Sequence, residues 1–566
     1  MRLPRRKLLA ALLAVIGLVA PPLSAAHAGD REDKLQKINH IVVIYQENHS
    51  FDNLYGGWEG VRGRADADVQ HTAQISQSGQ LYDCLLQNDV NLTTPPLPAS
   101  CTNTHGGSFV SAFINAPFQI DEYIAPTDKT CPAPGVFAPN GVLKDSPGAL
   151  PGGCTRDVVH RFYHEQYQIN GGAMNRYVTG SDAVGLAMGY YDTRKLPIYR
   201  YLHAPGHPRY AIADNFFQAA FGGSFLNHHW LVAAASPVFA GAPQSGPDDL
   251  HSVVDANGFP NASYPLYHPA TAVKDAQLTI KCPSPVAGLA CGDFAVNTTQ
   301  PFFQPFSPGT VTTRRLPPLN APTIGDRLSA AGVDWAWYAG GWSNANGDID
   351  GPGWTNGAGP SCSDAATFAG AVFPNCPDKL FQFHHQPLNY YAAFDPGTTA
   401  GLANRRAHLR DEVEFLQLAR SSTSSRCHLK PVSFVKPIGA ENEHPGYTNE
   451  NTGSDHLVAL IDAITQSACA KDTMIIVTYD EFGGQWDHVP PPGQGGQPGP
   501  HDQWGPGTRI PALVVSPFLR GNFVVDHTPY DTTSVLATIE KRYGLPPLGS
   551  RDAAVDDLSK VFDAKF

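Results

Sequence analysis

Three stretches of this chain are β-branched, nearly unbroken apolar runs: 38–45 (INHIVVIY), 473–479 (TMIIVTY) and 511–516 (PALVVS). Runs of this length predict strands covered on both faces, as in a parallel sheet. Apolar residues at helical spacing predict helices over 323–331, 408–421, 455–468 and 532–543. A further apolar stretch after Ser224 predicts a helix ending near 235. Strands alternating with helices point to an α/β fold around a largely parallel sheet flanked by helices. The stretches 56–155 and 237–320 show no such periodicity and are rich in Gly, Pro, Asn and Cys. Structureless insertions that long usually carry function or cover a site. With no repeat and no flexible linker, 29–566 reads as a single domain with these two loop insertions.

The N-terminus changes the picture. Arg2, Arg5, Arg6 and Lys7 precede an apolar run over 8–20, and Ala26-His27-Ala28 is a small-x-small pattern. The run is too short for a bilayer, which takes about 20 residues. Residues 1–28 therefore read as a secretory signal, with Arg5-Arg6 suggesting the twin-arginine route. Nothing later predicts an integral membrane segment in the mature chain, and the expected location is periplasmic or secreted. The ten cysteines contain no CxxC pair, which favours disulfides over zinc in an exported protein. Pairing neighbours predicts 84–101, 131–154, 282–291, 362–376 and 427–469.

Composition excludes more than it identifies. The 566 residues are 42% hydrophobic and 16% charged, too apolar for disorder. Net charge is −12, and the leader removes only basic residues, so no nucleic-acid partner is expected. The same acidity argues against broad capture of anionic polymers or membranes.

Chemistry-bearing residues gather where strands end. The first strand runs into Glu47 and Asn48, and the strand over 473–479 runs into Asp480 and Glu481. Ligands of open α/β sheets bind beyond the carboxyl ends of strands. Four oxygen donors there suit one divalent cation of the Mg, Ca or Mn kind. Gly222-Gly223-Ser224 opens a helix, where glycines admit close approach and the helix N-terminus favours an anion. Ser224 could be a phosphate-accepting nucleophile beside the metal, or simply a helix cap. GGSFLN is not a GxSxG elbow. Among 22 histidines, His160, His384, His385, His444 and His488 stand in polar or aromatic segments and could serve phosphoryl chemistry or pack locally.

These motifs resemble a known family. INHIVVIYQENHSFDNLYG, DVVHRFYHEQYQINGGAMNRYV, GGSFLNHHW, FQFHHQPLNYY, SFVKPIGAENEHPGY and IIVTYDEFGGQWDHVPPP occur in order. Together they are similar to the bacterial phosphoesterases that join acid phosphatases and phospholipases C within the alkaline-phosphatase-like superfamily. The resemblance implies that Glu47, Asn48, Ser224, Asp480 and Glu481 hold the metal, with Ser224 also the nucleophile. It implies that His160, His385 and His444 act on the phosphate, with Asn48 and the adjacent His384 binding substrate. His488 matches too but reads as structural.

The expected activity is hydrolysis of small phosphomonoesters through a phosphoserine, with His385 or His444 protonating the leaving group. Ser224, where the phospholipase branch often has Thr, leans toward acid phosphatase. So does the chain's stopping soon after its last matching segment. Phospholipase C is the alternative. A sulfatase is disfavoured, since Cys282-Pro283-Ser284-Pro285 lacks the CxPxR pattern. A non-catalytic exported binding protein would leave the two acidic strand ends unexplained.

Overall fold

Val42, Val43 and Ile44 cannot meet water on either face, and in the computed structural model their strand lies inside a sheet with every residue from Ile41 to Gln46 buried. The structure describes residues 23–88, 97–124, 155–423 and 425–564. The central strands are β1 His40–Gln46, β2 Tyr210–Ala213, β3 Trp335–Ala339, β4 Leu409–Asp411, β5 Val432–Lys436, β6 Thr473–Tyr479, β7 Ala512–Val515 and β8 Phe523–Asp526. Among the described residues they form one eight-stranded sheet in the order β4-β3-β5-β1-β6-β7-β2-β8. Within it β7 runs antiparallel to both neighbours, while the remaining pairs are parallel.

The flanking helices are α1 Leu23–Gln36, α2 Phe162–Ile169, α3 Ser224–Ala233, α4 Ile324–Ala330, α5 Thr399–His408, α6 Glu412–Ser421, α7 Glu450–Thr465 and α8 Thr533–Tyr543. Their ends follow local chemistry. Thr323 and Asp326 form a capping box on α4, Asn449 caps α7, and Gly544 ends α8 in the left-handed conformation. Helix α3 packs against α8, and α6 against α7.

The helix expected over 408–421 is two elements. Leu409–Asp411 pairs with β3 at the sheet edge, and the Asp411 side chain accepts from Val413 N to start α6. A three-residue edge strand has no period long enough to interrupt the helical pattern. The α7 helix begins earlier than expected because Asn449 supplies a cap before the apolar periodicity starts.

Four expected disulfides form: Cys84–Cys101, Cys282–Cys291, Cys362–Cys376 and Cys427–Cys469. The expected pair 131–154 lies outside the described residues, as does the leader up to residue 22. The insertion expected near 56–155 is only partly described, and it carries the small ladder Cys101–Asn103 with Phe109–Ser111. Among the described residues no helix is long and apolar enough to cross a membrane.

Candidate active site

Register brings the two acidic strand ends together. Gln46 pairs with Tyr479, so the next residues, Glu47 and Asp480, leave the sheet at one level. Asn48 then turns with φ of 62°, a left-handed conformation that Asn tolerates better than most residues. Its N–H donates to Asp480 Oδ1 at 3.1 Å. The second loop answers with Gly483 at φ of 63°, where a Cβ would stand 2.1 Å from the Asn48 carbonyl oxygen. Only a glycine lets the loops close this far.

Carboxylate oxygens of Glu47, Asp480 and Glu481 lie within 4.8 Å of one another, all fully buried. Ser224 faces them from the first turn of α3, its hydroxyl donating to Glu47 Oε2 at 3.1 Å and standing 3.5 Å from Glu481 Oε1. Behind this turn, buried Glu165 accepts from Gly222 N, Thr508 N and Gln218 Nε2. Gly222, at φ of 89°, leaves no room for a Cβ against the Phe162 backbone.

The histidines converge on the same place. His160, His384, His385 and His444 line a pocket of about 330 Å³ together with Ser224, Arg161, Asp157 and Tyr447. His160 Nε2 is 3.3 Å from Asn48 Nδ2 and 3.4 Å from Glu481 Oε1. His385 Nε2 is 3.0 Å from Glu47 Oε1. The His444 ring lies against Tyr447 and 6.2 Å from the His160 ring. His488 is placed elsewhere, bonded through Nδ1 to Asp52 Oδ2 in a buried network with Arg509 and Asp487.

Two residues of the site carried no sequence signal of their own in the strand-end reading. Lys436, at the end of β5, is fully buried and ion-paired to Glu47. His228 follows Ser224 by one helical turn and stacks parallel to His385 with ring centroids 5.0 Å apart. The i, i+4 spacing on α3 was the available clue to His228.

Electrostatics sort these groups. Burial, reinforced by the Glu47 charge, pushes the Asp480 carboxyl up to about 8, and burial with Asp480 pushes Glu481 well above the carboxylate range. Lys436 brings one ammonium against three carboxylates. Asp480 Oδ2 and Asn48 Oδ1 have no hydrogen-bond partner. Buried, crowded and partly unpaired hard oxygens fit a divalent cation.

On the other wall, burial holds His385 and His444 well below the ordinary imidazole value and His384 down to about 3. Lys436 depresses all three further, and the neighbouring histidines add to this. Both shifts favour the neutral ring over the imidazolium expected at His385 or His444.

The sequence model of the Phosphoesterase family matches residues 38–546. The chain belongs to the Phosphoesterase family. As a member it is an ester-bond hydrolase acting on phosphoesters. Similar proteins include phospholipase C B of Mycobacterium tuberculosis, 25% identical over 585 residues, 97% of this chain and 82% of that protein. Phospholipase C A of the same organism is 24% identical across 96% of this chain and 81% of that protein. Non-specific phospholipase C6 of Arabidopsis thaliana is 28% identical over 32% of this chain and 36% of that protein. A solved structure from Vibrio parahaemolyticus, described as a protein in the alkaline phosphatase superfamily, is 14% identical with a TM-score of 0.20 over 41% of this chain and 50% of that one. So slight a superposition leaves the fold to rest on the sheet itself.

Proposed function

We propose that this phosphoesterase is an exported, metal-dependent acid phosphatase that cleaves small phosphomonoesters through a phosphoserine at Ser224. The observation that carries this reading is the Ser224 hydroxyl, set at the head of α3, 3.1 Å from the buried Glu47 carboxylate at the floor of a histidine-lined pocket. Glu47, Asp480, Glu481, Asn48 and Ser224 would hold one divalent ion. Such an ion, when bound, supplies Lewis-acid stabilisation of charge on oxygen.

The chain's own residues perform the remaining work. Ser224 Oγ releases its proton toward Glu47 Oε2, the carboxylate oxygen it already touches, and attacks phosphorus. Asn48 Nδ2 and the pocket imidazoles donate to the phosphoryl oxygens, which is positioning with electrostatic stabilisation. The α3 N-terminus favours the anion further.

Burial lowers the affinity of His385 and His444 for a proton, so the leaving oxygen takes its proton from the substrate's own phosphate hydroxyl or from an imidazole recharged by the bound anion. A phosphomonoester keeps that proton below its second pKa of about 6. Acid-side activity follows from this. Water then attacks the phosphoserine and releases phosphate.

The histidine-lined pocket of about 330 Å³ has room for a phosphoryl group and a compact leaving group. Export is supported by the leader-like residues 1–28 and the four disulfides. Residues 29–566 then form the mature catalytic domain.

Phospholipase C activity is the second reading, favoured by the names of the relatives that match along nearly the whole chain. The two separate by turnover of p-nitrophenyl phosphate against p-nitrophenylphosphorylcholine, from pH 4 to 9, with and without chelator. The phosphatase reading expects faster monoester turnover, falling above about pH 6 and lost with chelator. Faster diester turnover would replace it with phospholipase C.

A further inference from the structure

The two oxygens of Glu47 face different surroundings. Oε2 receives the Ser224 hydroxyl at 3.1 Å. Oε1 faces His385 Nε2 at 3.0 Å, His228 Nε2 at 4.0 Å and the Lys436 ammonium. Glu47, His228 and His385 thus offer three ligand atoms within 4.8 Å of one another, all buried. Two imidazoles and a carboxylate are a donor set that suits zinc and similar transition metals. No well-aligned hydrogen bond satisfies His228 Nε2 or His385 Nε2, and both nitrogens face Glu47 Oε1.

A cation already stands beside this set. Lys436 Nζ donates to Tyr45 O at 3.0 Å and Gln46 O at 3.3 Å, and pairs with Glu47. The two carbonyls accept hydrogen bonds, and Glu47 supplies the opposite charge. The lysine is delivered by β5, whose Val435 pairs with Ile44 of β1, so Lys436 lies level with the carbonyls it meets. A lysine fully buried at a strand end needs such compensation, because an unpaired buried charge is strongly unfavourable.

We propose that Lys436 is a built-in cation that takes the place of a second metal ion beyond Glu47. It keeps the site to one ion and holds Glu47 with Oε2 turned toward Ser224. The inference rests on the reading of Glu47, Asp480 and Glu481 as the holder of that one ion. A lysine that merely neutralised the pocket would predict no new metal site on its removal. A lysine that occupies a coordination position predicts that its removal opens one.

The test is metal stoichiometry, read by elemental analysis and calorimetric titration on chelator-stripped full-length protein reloaded with excess zinc. Wild type should bind one ion per chain. Lys436→Ala should bind two, Lys436→Arg should stay at one, and Lys436→Ala combined with His228→Asn should return to one. Lys436→Met, closer in volume to lysine, repeats the measurement should the alanine variant not fold. Lys436→Ala or Lys436→Met loading a single ion, beside wild type that also loads one, overturns the inference and leaves the single-ion reading intact. Wild type loading two ions also overturns it. Wild type loading none removes both.

Discussion

Gly483 is where the two ligand-bearing loops touch, so Gly483→Ala tests whether their closeness matters. The added Cβ would stand 2.1 Å from Asn48 O and 2.6 Å from Asn48 C, both backbone atoms. Ordinary contact begins near 3.4 Å, so one loop must retreat by more than about 1 Å. The positive φ adds about 1–2 kcal/mol of strain for any L side chain. A displacement of about 1 Å in a reacting constellation is worth roughly a hundredfold in rate.

Gly241→Ala supplies the control: its φ is 74° but nothing lies within 4 Å of its Cβ. Both variants share the strain from φ, and Gly483→Ala adds the backbone clash, so it should unfold at the lower temperature of the two. Only Gly483→Ala should lose kcat/KM on an aryl phosphate by about a hundredfold, with weaker metal binding by titration. Equal activity in the two variants would refute the idea that the Asn48–Gly483 contact sets the distance between the ligand pairs.

Three further outcomes follow from named contacts. Glu165→Gln sets an amide N–H against donors that now meet carboxyl oxygens, at Gly222 N, Thr508 N or Gln218 Nε2, and a buried donor left unsatisfied costs about 1–3 kcal/mol. Unfolding temperature and kcat should both fall while KM changes little; wild-type kcat would show that the Ser224 turn needs no such brace. For His456, burial disfavours the charged ring, but the bond to Glu412 and the charge of Glu441 outweigh it and hold its value above normal. Stability from this cluster is therefore full below about pH 6.5 and is lost as pH rises through the folded value. The gap in unfolding temperature between wild type and His456→Asn should be wider at pH 5 than at pH 8, and a pH-independent gap would contradict it. Asp480→Asn should lower metal affinity at least tenfold by titration, since it replaces a buried anionic ligand with a neutral one; unchanged affinity would remove Asp480 from the ligand set.

The residues legible from the chain were those whose role is local. The run before Glu47 and the run before Asp480 were readable as strands because both faces are apolar, and the acids at their ends followed. Neighbouring cysteines paired as loop staples for the same reason of short range. What escaped was set by pairing across the sheet. Lys436 closes a strand that resembles any other apolar run, and only its register against β1 brings its ammonium to Glu47. His228 reads as one more helical residue until α3 is laid against β1 and His385. Leu409–Asp411 was absorbed into a helix because three residues cannot announce a period of two. The depressed proton affinity of the histidines was hidden too, since it comes from burial and neighbouring cations rather than residue type.

The central claim is that phosphorus passes through Ser224. Rapid acid quench during turnover of a labelled aryl phosphate, followed by peptide mapping, tests it directly, with partitioning to an added alcohol measured for several leaving groups. The account predicts label on the peptide carrying Ser224, none in Ser224→Ala, and one alcohol-to-water ratio for every leaving group. Label on no residue, together with a ratio that changes with the leaving group, would mean that water attacks the substrate itself and would contradict it.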